Sequence, residues 1–372
     1  MTRRTVRALA ELLIELGMVT EEKAAAVLAE IAKWRAEHLD EELDEKNVIG
    51  WIPEFGIAIS IHSEDVDDVA DYYRSKLEDD VVDCTGGAVV VSDVALVRIE
   101  NDYEYLHFRR NGESMWWYVD HESDDYVDLA SVSEQFNDLD PGGNDPRMFH
   151  QIRRRDSRFG DDVYLLASPE QAAALGNAFG LDFYGVPDEP PSDGNLIVAE
   201  PDSLEWYMAM DRRVMTEPAK IFLDRWLSDM VPALVDWRIR FLPSDFPFDF
   251  GIDSLHTLET LVFDRFPSWS GSKSTVVDPF VTGAVRYLGE TLIRNAPCHW
   301  AYQDIGDTSS DYSMYNRVPM IRSNTPRAFQ HTMVPLISLS CIAHREFGIL
   351  AETVQEIRAA TLRYESARRT LS

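Results

Sequence analysis

The Asn111-Gly112 pair constrains this chain more than any other feature. Asn-Gly admits positive φ at both central positions of a two-residue loop, and here it separates two stretches of strand character, Tyr103–Arg109 and Ser114–Asp120. A further stretch, Ala88–Val91 running into Val94–Glu100, precedes them across a turn at Asn101-Asp102. The pattern predicts an antiparallel meander through 88–120. On its last strand the pleat should set Trp117 on one face and Trp116 and Tyr118 on the other.

Around this meander the signals are helical. Residues 4–45 read as a helical hairpin, with Leu9, Leu12, Leu13 and Leu16 at helical spacing and Gly17 in the C-cap position. Thr20 opens the second helix, where Glu21 and Glu22 in the first turn favour the helix dipole. Phe55–Ile61 reads as a strand, and Ser63 as the N-cap of a helix through Val66, Val69, Tyr73 and Leu77. After the loop Asp138–Pro146 we expect a helix, then a strand over Val163–Ala167. Ser168-Pro169-Glu170-Gln171 next combines an N-cap, a first-turn proline and a capping-box glutamine. Pro187–Gly194 is the clearest linker, followed by a short strand at Leu196–Ala199. Residues 203–240 should be helical with a bend at Pro232, and 241–372 mostly helical with short strands near Trp300 and Val318–Ile321. The expected fold class is α+β. Its expected parts are a helical hairpin (1–46), an acidic α+β meander domain (47–187) and a mainly helical domain (195–372).

Charge narrows the partners. The chain carries a net −30, and residues 37–145 hold 30 Asp and Glu against 6 Lys and Arg. The last 99 residues carry 9 acids and 10 bases, so the charge is local. Net charge governs steering and non-specific binding rather than fold. It disfavours nucleic acid and anionic membrane as direct partners and favours a basic protein. Salt adaptation is a competing account, but it should spread acids over the neutral C-terminal quarter as well. Hydrophobic residues at 45% and aromatics at 11% are enough for packed cores, so the acidic region should be folded. No apolar run approaches the ~20 residues that span a bilayer. The first helix is interrupted by Glu11 and Glu15, so we read it as part of the fold rather than a leader. Three scattered cysteines argue against a disulfide framework and for a reducing, cytoplasmic setting.

No catalytic motif names a reaction. Cys298-His299 are sequence neighbours, whose side chains diverge, and a nucleophile needs its base in space. Cys341 and His344, with His331, have metal-like spacing, but a structural zinc site needs four ligands and no second pair is evident. Asp65, Asp67, Asp68 and Asp71 suggest a calcium loop, yet the required glycine and closing glutamate are missing. Gly86-Gly87 lacks the Lys-Ser/Thr of a phosphate loop. We therefore expect no metal and no cofactor. Arg153, Arg154, Arg155 and Arg158 form a basic cluster suited to pairing with the acidic region, within the chain or in a homo-oligomer.

The segment Phe250-Gly-Ile-Asp-Ser-Leu-His-Thr-Leu-Glu259, followed by Tyr287-Leu-Gly-Glu-Thr-Leu292 and Trp300, resembles an uncharacterised bacterial domain with an S-L-x-x-L-E … Y-L-G-E-x-L … W pattern over 245–325. Pro297-Cys298-His299 replaces the small residues usual before the tryptophan. No activity is assigned to that domain; the resemblance implies company with immunity-type and other accessory proteins. On the residues alone, Asp278-Pro279 starts a helix with the stripe Val281, Val285, Leu288 and Leu292. Gly289 in its interior implies close backbone packing, and Glu290 stands one turn from both Arg286 and Arg294, as in a charge ladder.

The leading expectation is a protein-binding factor of immunity or antitoxin type. Its docking residues would be Asp65, Asp67, Asp68, Asp71, Glu122, Asp124 and Asp125, with Trp116, Trp117 or Tyr118 as aromatic anchors. The alternatives are an enzyme using some of Glu290, Cys298, His299, His331 and His344, and a scaffold subunit held through the helical third.

Overall fold

The computed structural model describes residues 3–63, 66–99, 103–153, 161–184, 199–266, 278–306, 314–343 and 346–371. Asp65, His344, the strand proposed at 196–198 and most of the 153–158 arginine cluster lie outside them. The fold is mixed α+β, in two compact units, Met1–Asp193 and Gly194–Ser372.

The first unit opens with α1 (Val6–Glu15) and α2 (Glu21–Arg35). Thr5 and Thr20 cap them, and Gly17 turns the chain between them at φ 68°. α3 (Glu45–Trp51) leads to β1 (Ala58–Ile61), which begins later than expected because Phe55 closes a 3-10 turn and Gly56 turns left-handed. The next helix starts at Val69 rather than after Ser63. Ser63, Val66 and Val69 are tied instead to 124–127 by Val66 N–H to Asp125 O (3.4 Å), Val69 N–H to Asp124 O (3.1 Å) and Val127 N–H to Ser63 O (2.8 Å). Asp68 supplies the cap of α4 (Val69–Arg74) instead, and a π-helical stretch, Ser75–Asp80, joins it to α5 (Val81–Thr85).

The meander follows as β2 (Val91–Ile99), β3 (Tyr103–Arg110) and β4 (Glu113–Val119), antiparallel in that order. Asn111 and Gly112 both take positive φ, 49° and 86°, the primed turn that matches strand twist. β2 carries a bulge between Ser92 and Ala95, with Asp93 at φ 57°. After α6 (Leu129–Gln135) come β5 (Met148–Arg153), β6 (Asp162–Ala167), α7 (Pro169–Phe179) and β7 (Asp182–Phe183). The helix expected from 147 is thus strand β5. The capping box of Ser168 and Gln171 is complete.

The four-stranded sheet β1-β6-β5-β7 is the middle layer of this unit. Ala58, Ile152, Val163, Leu165 and Ala167 face a core shared with α1, α2, α3 and α7. Ile59, Ile61, Phe149, Tyr164 and Leu166 face a second core shared with the meander, α4 and α6. Period-2 alternation therefore feeds two cores rather than a core and solvent.

The second unit runs α8 (Leu204–Arg213), α9 (Glu217–Ser228), α10 (Met230–Phe241), α11 (Ile252–Arg265) and α12 (Pro279–Asn295). No bend forms at Pro232: the helix breaks at Asp229 and Pro232 falls in the first turn of α10, where its missing N–H costs nothing. β8 (Cys298–Ala301), β9 (Met320–Ser323) and β10 (Thr332–Met333) form an antiparallel sheet, followed by α13 (Pro335–Ala343) and α14 (Ile349–Leu371). α12 is the hub. Asp278 caps it at Phe280 and Val281, and its core residues pack with α10, α11, α13, α14 and the sheet. Among the described residues no helix is long and apolar enough to cross a membrane.

Candidate functional site

The catalytic candidates of the second unit are absorbed by packing or by one another. Adjacent on β8, Cys298 and His299 point to opposite faces, so they form no dyad. Cys298 enters the core, where burial, aided by the Glu290 charge, pushes its thiol up to about 12. His299 is 4% exposed and lies against two polar partners. Its Nε2 is 3.0 Å from Asp211 Oδ2 and its Nδ1 2.7 Å from Asn324 Oδ1. Arg322, its cross-strand neighbour on β9, donates from Nη1 to Asp211 Oδ1 at 2.9 Å. Burial alone would push the Asp211 carboxyl up; the hydrogen bond with His299 and the Arg322 charge overcome it and hold the group below the usual range. The cluster ties α8 to the β-sheet. Sequence reasoning found only His299, because Asp211 lies 88 residues away and nothing local marks it.

His331 keeps a separate partner, Glu356, at 3.4 Å. Among the described residues no three of His, Cys, Asp and Glu come together as a metal would require.

The S-L-x-x-L-E … Y-L-G-E-x-L … W residues hold the unit together. Tyr287 Oη donates to Ser254 Oγ at 2.7 Å. Glu259, 2% exposed, accepts from Gly348 N–H and Leu350 N–H and so caps the start of α14. Gly289 leaves room for the Trp300 indole, whose Nε1–H donates to Glu290 Oε1 at 3.0 Å. The expected ladder around Glu290 does not form. Arg286 turns inward to Trp226 O, and Arg294 lies over the Phe250 ring. Buried aromatic and carbonyl partners outweigh exposed helix pairs of a few tenths of a kcal/mol.

In the first unit the acids gather. The backbone bonds between 63–69 and 124–127 bring two sequence-distant acidic segments side by side, and Asp67, Asp68, Asp71, Glu122, Asp124 and Asp125 are all exposed. Asp68 accepts from Asp71 N–H at 2.9 Å, and Arg98 bonds both Asp124 and Glu104. Beneath this rim, Glu104 Oε2 lies 2.5 Å from His121 Nδ1, and Tyr73 Oη lies 3.0 Å from His121 Nε2. The His121 side chain is 1% exposed. Burial, then the Asp128 charge, push the Tyr73 hydroxyl far above its ordinary range, so it keeps its proton. A polar chain thus runs from Asp124 through Arg98, Glu104 and His121 to Tyr73. His121, Glu104 and Tyr73 carried no sequence signal, since they come from three separate elements.

The aromatic anchors need correction. Trp117 is 0% exposed in the core and Trp116, on the opposite face, is 5% exposed. Two-sided burial accounts for both rings, with Trp116 against His107 at 4.6 Å between centroids and Trp117 edge-on to Phe108 at 5.0 Å. Of the three residues only Tyr118 keeps partial exposure. No family model matches this chain, and no curated protein or solved structure matches it.

Proposed function

We propose that the chain is a binding factor of immunity type, docking a basic protein partner on the rim formed by Asp67, Asp68, Asp71, Glu122, Asp124 and Asp125. The reading rests on one observation: backbone hydrogen bonds hold two acidic segments, more than fifty residues apart in sequence, as one exposed surface. Such a surface raises the rate of encounter with a Lys- and Arg-rich face while contributing little to fold stability. The tryptophans do not serve as anchors on this reading.

The test compares the wild-type chain with Asp67→Lys/Glu122→Lys/Asp125→Lys, which spares the Asp68 cap and the Asp124–Arg98 pair. Each is used as bait, and the association rate of the captured protein is measured at low and physiological salt. The expected partner is basic, associates at least about tenfold more slowly with the variant, and slows with salt as charges become screened over ~8 Å. An acidic partner, or one indifferent to the triple change, would sink the proposal.

A further inference from the structure

We draw no further inference here: the strongest candidate, the exposed apolar stripe of Val231, Val235 and Ile239 along α10 of the second unit, is an unpartnered helix face, and nothing in the structure shows what covers it.

Discussion

Replacing Gly289 with alanine puts the packing of the second unit to a direct test. In an ordinary exposed helix the change stabilises by about 1 kcal/mol, because glycine has the greater backbone freedom to lose. Here a Cβ at 289 would stand 2.1 Å from Trp300 Cζ2 and 2.2 Å from Cη2, against 3.4 Å or more for ordinary contact. The indole must retreat by more than an ångström from a place it holds by three means. Its residue lies in β8, its Nε1–H bonds Glu290, and its ring packs edge-on to Trp226 with centroids 5.5 Å apart. Overpacking of this kind costs about 1–3 kcal/mol. Breaking the indole–carboxylate bond adds about 1–3 kcal/mol. After the helical gain, the variant should be less stable by about 1–5 kcal/mol. Urea denaturation of the single variants and of Gly289→Ala/Trp300→Leu isolates the cause. With the indole gone the alanine should cost nearly nothing, a coupling of about 1 kcal/mol or more. Stabilisation by Gly289→Ala, or simple additivity with Trp300→Leu, would refute the reasoning.

Two other expectations concern pH and thiol chemistry. Burial pushes the Asp140 carboxyl up to about 6, against hydrogen bonds from Phe149 N–H and Asn137. A carboxyl whose folded pKa lies above its unfolded one favours the folded state fully below about 4, and that contribution is lost as pH rises through about 6. Stability should therefore fall across that window by on the order of 2–3 kcal/mol, and denaturation of Asp140→Asn between these pH values should show that part of the slope removed. Burial also raises the Cys84 and Cys298 thiols to about 12, while Cys341 is half-buried and raised less far. Native-state alkylation followed by peptide mass spectrometry should mark Cys341 first, and fast labelling of Cys298 would contradict its place in the core.

Elements whose cause is local could be read from the chain. The Asn111-Gly112 turn, the Ser168 capping box, the Thr20 cap and the Asp278-Pro279 start need only neighbouring residues, and each is present. Strand β5 could not be read this way. Phe149 and Ile152 serve different cores, so the strand lacks a two-residue apolar alternation and these two residues fall three apart, as on one face of a helix. The Ser63 cap failed for a related reason: Ser63 O accepts from Val127 N–H, and no local rule anticipates a partner 64 residues away. The acidic segments were visible one at a time, but their meeting was not.

Strand β6 gives Val163, Leu165 and Ala167 to one core and Tyr164 and Leu166 to the other. The two cores therefore share a backbone, and neither can slip without the other. One residue inserted after Asp162 would move every following side chain into the wrong core, exchanging small aliphatics for an aromatic ring. Unit one should consequently melt as a single cooperative block, with β6 amides exchanging only on global opening.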